Sequence, residues 1–365
     1  MTQIKHITQH LESIAPLSYQ EGYDNCGLIV GNPDAEVTGV MLCLDSTEAV
    51  IDEAVAKGCN LVIAHHPIVF KGLKKFTGRN YVERTVIKAI KNDVAIYAIH
   101  TNLDNIMTGV NGRMAEKLGL INCRILQPKT GLLKKLFSFV PITHAEFVRA
   151  AIFEAGGGHI GKYSECSFNA NGKGTFKASE GSKPFVGEIG HRHEEEEIKI
   201  EVIFPAWLEQ GILSAMIKAH PYEEVAFDVV RLDNNYQSTG SGLIGDLPTS
   251  ISPTEFLQLL QNQFHLQVIR HTKREKPIHK VALCGGAGSF LTKAALAAGA
   301  DAYVTGDVKY HEFFDAENRL LLADIGHWES EQFTIDLLAE HLSGKFPTFA
   351  VLKTGVKTNP VEYFK

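Results

Sequence analysis

The stretch VMLCLDSTEAVIDEAVAKGCNLVIAHH, residues 40–66, decides the architecture, because residues 281–307 repeat its layout as VALCGGAGSFLTKAALAAGADAYVTGD. Aligning Gly58 with Gly299 brings Leu42 onto Leu283, Cys43 onto Cys284, Ala54 onto Ala295 and Asn60 onto Asp301. In both copies an apolar β-run leads through a small-residue turn into a helix with Ala, Val and Leu on one side. A glycine stops that helix, and a second apolar strand follows, Leu61–Ala64 or Ala302–Thr305. This is a β-α-β unit, and strands apolar along their whole length suit a sheet covered on both faces. The second strand ends in His65-His66 in one copy and in Gly306-Asp307 in the other. Carboxyl ends of strands are the favoured place for a site in such folds.

Working outward, a helix precedes each copy: Ile4–Ile14, and Pro253–Phe264 after the cap-like Ser252. Short Gly-rich strands at Cys26–Gly31 and Ser241–Leu247 are read as further counterparts, although their order relative to the helix differs. The chain is therefore expected to be α/β, with a core of two related halves, residues 1–126 and 237–365. Residues 127–236 have another character. Strand Lys134–Val140, helix Thr143–Ala155, a hairpin of Tyr163–Ala170 and Gly174–Ala178 about Asn171-Gly172, strand Ile198–Phe204, helix Pro205–Ala219 and strand Ala226–Leu232 follow in turn. The order β-α-β-β-α-β predicts an inserted, ferredoxin-like α+β domain, placed in a surface loop where insertions are tolerated.

At 365 residues, with 44% hydrophobic and 21% charged side chains, the composition is that of a globular protein of two or three domains. The formal charge of −6 offers no general attraction to nucleic acid or anionic membrane. No apolar run approaches the ~18 residues of a membrane span, and Met1–His10 lacks a signal pattern, so a cytoplasmic location is expected. Six scattered cysteines without a C-x-x-C pair read as reduced thiols.

Four clusters carry possible chemistry. His65-His66, followed by Pro67, ends a strand; side chains of neighbouring strand residues diverge, so these two suit different ions, or else hydrogen bonds within a turn. His100-Thr101-Asn102-Leu103-Asp104 follows strand Val94–Ile99, and Asp104 reads as a ligand or as an ordinary turn residue. In Gly326-His327-Trp328-Glu329-Ser330-Glu331, His327 and Glu331 are four apart on a helical turn, as chelating pairs and many solvated helices have them. Asp307, Lys309 and His311 occupy the repeat-equivalent of His65-His66, as substrate or proton-handling groups or as a capped helix start. Together three strand ends supply His65, His66, Asp104, His327 and Glu331. With Glu331 bridging, two ions would each receive three side chains and keep open positions, the mark of a catalytic site. Nitrogen and oxygen donors without thiolate suit Zn, Mn, Fe, Co or Ni. Gly285–Ser289 lacks the ending of a phosphate loop, although it permits close backbone approach to an anion. His191-Arg192-His193 with Glu194–Glu197 reads as a solvated hairpin loop, and Lys71–Arg79 is too short to indicate nucleic acid.

Asp24-Asn25-Cys26-Gly27-Leu28, Ala64-His65-His66-Pro67, His100–Asp104, Gly306–His311 and Gly326–Glu331, in this order, resemble the motifs of the Nif-three-like dinuclear-metal-centre family. Its bacterial members are often labelled GTP cyclohydrolase I type-two homologues. The likeness covers about 1–126 and 237–365, and the insert is similar to the PII- or CutA-like domain of the longer members, His220–Val225 resembling CutA. The resemblance implies metal ligands at His65, His66, Asp104, His327 and Glu331, and two divalent ions per chain, zinc first among the candidates. It also implies a toroidal homohexamer with the insert capping its openings. The function expected is metal-dependent hydrolysis of a nucleotide-like small molecule, with GTP ring opening the named candidate. The alternative is a non-enzymatic metal-holding scaffold or regulator whose insert senses a ligand or partner.

Overall fold

Helix α1 (Ile4–Ile14) buries Ile4, Ile7, Thr8 and Leu11, a stripe at helical spacing that docks it on the first half of the core. Strand β1 (Gly27–Val30), β2 (Gly39–Asp45), helix α2 (Glu48–Ala56), β3 (Leu61–His66), α3 (Tyr81–Lys91) and β4 (Ala95–Ala98) follow. Thr47 and Asn80 cap α2 and α3 by accepting the Val50 and Glu83 N–H groups. Strands β2, β3 and β4 are parallel, with Cys43 beside Ala64 and Ala64 beside Ala98. Their near-continuous burial explains why the sequence shows apolar runs and no alternation. The chain then forms α4 (Thr101–Asp104), α5 (Val110–Lys117) and β5 (Ile121–Lys129). This computed structural model describes residues 2–364.

By contact density the chain divides into two units: Lys129–Tyr236, and the remainder on either side of it. Within the first, β6 (Leu133–Pro141), α6 (Ala145–Glu154), β7 (Phe168–Lys177), β8 (Arg192–Pro205), α7 (Glu209–Ala219) and β9 (Phe227–Leu232) build one antiparallel sheet in the order β7-β8-β6-β9. That order is the one a β-α-β-β-α-β chain of ferredoxin-like plan produces. Leu136, Val140, Ile200, Val202, Phe204, Val148, Ile152, Ile212 and Met216 close the core between sheet and helices. One expectation fails here. Asn171-Gly172 makes no turn: Asn171 pairs with Ile198 and Gly172 with Glu197 inside a continuous β7. The hairpin runs from β7 into β8, whose first residues, Arg192–Glu197, are strand and no loop. A ten-residue ladder outweighs the local turn preference of a single Asn-Gly step.

The chain returns to the core through β10 (Tyr236–Ile251), α8 (Pro253–Phe264), β11 (Arg270–His271), β12 (Ile278–Ala287), α9 (Thr292–Ala297), β13 (Ala302–Gly306), β14 (Leu321–Asp324), α10 (His327–Glu331), α11 (Thr334–Ser343) and β15 (Ala350–Lys353). Helix α8 starts with a capping box between Ser252 and Glu255 and Pro253 in its first turn, then buries Phe256, Leu260 and Phe264, each worth about 2 kcal/mol of apolar burial. The sheets are β1-β4-β3-β2-β15 and β11-β14-β13-β12-β10-β5. The halves exchange strands, since β15 pairs with β2 and β5 lies at the edge of the second sheet. The true counterpart of β1 is β11, each antiparallel to the last parallel strand of its half. Ser241–Leu247 belongs instead to β10, antiparallel to β12. With β11 in that role, strand order is the same in both halves, and the 3-10 helix Tyr310–Ala316 stands where the first half has α3. Among the described residues no helix is long and apolar enough to cross a membrane.

Candidate metal centre

Each candidate imidazole is held by its Nδ1. His65, fully buried at the end of β3, points Nδ1 at the Ile99 carbonyl, 2.8 Å away. His66 points Nδ1 at Asp45 Oδ1, also at 2.8 Å, Asp45 being its register partner on β2. His327 opens α10 and points Nδ1 at Asp307 Oδ2, 2.7 Å away. Asp307 directly follows β13 in a left-handed conformation, φ +55°, an uncommon backbone state for a residue with a side chain. His100 points Nδ1 at Asp24 Oδ1, 2.9 Å away, while Asp24 also accepts from the Thr101 N–H and hydroxyl. A ring nitrogen facing a carboxylate or carbonyl is held as the donor, which leaves Nε2 as the ring atom turned toward the site.

The Nε2 atoms of His65, His66 and His327 converge on Glu331, which is 2% exposed. Its Oε2 lies 3.0 Å from His66 Nε2 and 3.3 Å from His327 Nε2, and those two nitrogens are 3.3 Å apart. Its Oε1 lies 3.7 Å from His65 Nε2, which is 3.6 Å from Asp104 Oδ1. The carboxylate thus divides its oxygens between two donor sets, His65 with Asp104 and His66 with His327. His65 Nε2, Asp104 Oδ1 and Glu331 Oε2 are buried with no hydrogen-bond partner among the described residues. Three such atoms in one place are costly unless a cation draws them together. Tetrahedral donors ~2.0–2.1 Å from a zinc-like ion stand about 3.4 Å apart, which matches these separations. The residues fit a divalent cation, most compactly at His66, His327 and Glu331, whose ligand atoms lie within 4.8 Å of one another.

Charge tells the same story. Burial alone would lower the His66 ring, yet Asp45 and Glu331 more than offset it and push it up to about 10. His327 goes to about 9 by the same balance, with Glu331 and Asp307 as its partners. Burial lifts the Asp104 carboxyl above its ordinary range despite His65 and His100, whereas the His327 and His65 rings hold Glu331 well below its own despite burial. A proton satisfies one of the two facing Nε2 atoms at a time; a divalent cation satisfies both and the carboxylate between them.

Backbone geometry makes room for this carboxylate. Gly286, φ +63°, lies so close that an added Cβ would meet Glu331 Oε1 at 2.4 Å and His327 Nε2 at 3.3 Å. The anion approached by the Gly285–Ser289 turn is therefore the protein's own. Ser330 ties the two segments together, accepting the Gly286 N–H at 2.9 Å and donating to the His327 carbonyl at 2.7 Å. Gly326, φ +90°, lets β14 turn straight into α10.

All five expected ligands meet, but their strands belong to two sheets: β3 and β4 to the first, β14 to the second. The three strand ends do not lie side by side in one parallel sheet. His100 was not among the expected ligands, yet its donor atoms lie within 4.8 Å of those of His65 and His66. Its partner Asp24, 76 residues earlier, is invisible to spacing. Of the residues expected to handle substrate or protons, Asp307 lines the cavity and also faces His327 Nδ1. Lys309 and His311 are exposed and do not line the cavity above the site. That cavity, about 960 Å³, is walled by Tyr23, Phe70, Tyr81 and Phe290 besides His66, His100, Asp104, His327 and Glu331.

A family model described as Duf34/NIF3 (NGG1p interacting factor 3) matches residues 2–360. A protein of Halalkalibacterium halodurans named GTP cyclohydrolase 1 type 2 homolog is 40% identical over 363 residues, 98% of each chain. One of the same name from Bacillus subtilis is 39% identical over 327 residues, 89% of this chain and 88% of its own. Among solved structures, a Bacillus cereus protein related to NIF3 aligns with a TM-score of 0.83 at 38% identity, over 100% of this chain and 99% of that one. A Staphylococcus aureus protein aligns at 0.79 and 27% identity over the same shares.

Proposed function

This chain belongs to the DUF34/NIF3 family, and from that premise we propose that it holds two divalent metal ions and hydrolyses a small, nucleotide-like molecule with them. The observation that carries the reading is the buried Glu331 carboxylate, whose two oxygens face separate donor sets. His65, Asp104 and one Glu331 oxygen would hold one ion; His66, His327 and the other oxygen would hold the second. Ions so held supply Lewis acidity, polarising a phosphoryl or ring-carbon electrophile and raising the acidity of water.

The protein's own residues do the rest. Asp45, Asp307 and the Ile99 carbonyl fix the rings so that their Nε2 atoms face inward. His100, set by Asp24 and open to the cavity, is the group placed to orient substrate or move a proton. Tyr23, Phe70, Tyr81 and Phe290 offer apolar faces to a flat ring, in a volume that suits a nucleotide-sized ligand. A homo-oligomeric ring, expected from the family likeness, belongs to the same reading and is checked by light scattering in solution.

The test is metal analysis of protein purified without metal-affinity resin, then an activity screen over nucleotides, GTP included, and phosphoesters. Two ions per chain with saturable, metal-dependent turnover are expected. Replacement of His65 and Glu331 together should abolish both; unchanged metal content in that variant would refute the assignment. Tight metal binding without turnover across the panel would favour the scaffold or regulator.

A further inference from the structure

Beyond β15 the chain crosses the mouth of the site. Thr354 donates to Glu53 Oε2 at 2.5 Å, the Gly355 N–H reaches the same carboxylate at 3.1 Å, and Val356 packs against the core of the first half. From Thr358 to Tyr363 the character changes. Among the described residues, the backbone there hydrogen-bonds only within the segment, Val361 N–H to Asn359 Oδ1 at 3.0 Å. Side chains make the attachments. Thr358 Oγ1 donates to Asp45 Oδ2 at 2.7 Å, Asn359 Nδ2 to Glu329 Oε1 at 3.1 Å, and the Tyr363 hydroxyl to the same Glu329 oxygen at 3.3 Å.

Both anchors adjoin the donor set. Asp45 uses its other oxygen, Oδ1, to hold His66 Nδ1. Glu329 stands on α10 between His327 and Glu331. The segment also lines two cavities: Asn359, Pro360, Val361 and Tyr363 face the site cavity, while Lys357, Asn359 and Glu362 line a second one of about 310 Å³. A segment with cavities beside it, little buried surface and side-chain attachments opens at small cost.

We infer that Thr358–Tyr363 is a strap and that Thr358 is a positioning residue for the metal centre, acting through Asp45 on His66. The inference rests on the two-ion reading above. Thr358 fixes the carboxylate plane of Asp45, Asp45 fixes the His66 ring, and the ring's Nε2 faces the ion site. Coupling of this kind is reciprocal: a docked strap strengthens ion binding, and a bound ion holds the strap down by the same factor. Opening the strap would widen the cavity for substrate and loosen one of the two ion sites in the same motion.

The test uses the full chain stripped with a chelator, and Zn²⁺ as the probe. Zn²⁺ affinity is read by competition with a chromophoric chelator, and amide hydrogen exchange is followed over residues 356–364 with and without Zn²⁺. Outer-sphere partners typically change metal affinity about 10–100-fold. Thr358→Val, which keeps the shape and removes the hydroxyl, should weaken one of the two ions by about the lower figure. Thr358→Ser should restore it. Zn²⁺ should slow strap exchange in the wild type and in Thr358→Ser, and leave it fast in Thr358→Val. Tyr363→Phe, which frees the Glu329 end without touching Asp45, should also speed strap exchange. Wild-type affinity in Thr358→Val, or strap exchange indifferent to Zn²⁺ in a wild type that binds two ions, overturns the inference. Failure of the wild type itself to bind Zn²⁺ overturns the two-ion reading and the strap's role with it.

Discussion

Glu331→Gln removes one negative charge from the point where the donor sets meet and leaves side-chain volume unchanged. An ion held between Glu331 Oε2 and His66 Nε2, which stand 3.0 Å apart, would lie within that distance of the carboxylate. At about 3 Å, one unit charge acting on another through an effective dielectric of ~20 is worth about 5.5 kcal/mol. If the amide oxygen recovers half of that interaction, about 2.7 kcal/mol is lost, or roughly a hundredfold in affinity. Wild-type protein at a Zn²⁺ concentration of ~100 Kd gains about 2.7 kcal/mol in stability. For a unit of this size that raises Tm by about 5–10 °C. At the same Zn²⁺ concentration the variant sits near its own Kd and gains only about 0.4 kcal/mol, or ~1–2 °C. The assay is a thermal melt of chelator-treated protein across a Zn²⁺ titration, with bound metal counted after gel filtration. A variant that keeps the full thermal increment and both ions would refute the bridging geometry.

Gly286→Ala should abolish Zn²⁺ uptake, since its methyl group would enter at 2.4 Å from Glu331 Oε1 from a left-handed backbone; uptake of both ions by the folded variant would contradict this. Zinc affinity should climb as pH rises toward 9–10, about tenfold per unit for each proton displaced, because the ion competes with the protons held by His66, at about 10, and by His327, at about 9. In the metal-free protein the same raised values favour folding fully below pH ~6.5, and this contribution is lost as pH passes 9–10. Calorimetry in buffers of unequal ionisation enthalpy should register proton release at pH 8; none would count against a metal held by these rings. His100→Gln should leave both ions bound and cut turnover by about 10²–10⁴, the usual share of a proton-transfer group; undiminished kcat would remove His100 from the chemistry. Phe204→Ala, at a fully buried site, should destabilise the 129–236 unit by about 3–5 kcal/mol with metal content unchanged, read by calorimetry and metal analysis; loss of both ions would show the units to be coupled.

Local chemistry written along the chain was enough for much of this molecule. Apolar runs bounded by Gly58 and Gly299 mark the two β-α-β units, because a strand buried on both faces must be apolar throughout. Ser252, Pro253 and Glu255 announce α8, because capping is a contact between residues three apart. His65-His66 and the His327/Glu331 pair are legible as candidate donors, since they place imidazole and carboxylate at a strand end and at a helix start. Only the tertiary structure decided the rest. That Glu331 divides its oxygens between donors from two sheets depends on how the halves pack. Asp24 under His100, Asp45 under His66 and Thr358 under Asp45 are contacts between residues 21 to 313 positions apart. Lys309 and His311, plausible by repeat position, lie away from the cavity, while Asn171-Gly172 gave up its turn to a long ladder. Periodicity and capping act over one or two turns of chain and so can be read from neighbours; charge convergence is a property of packed space.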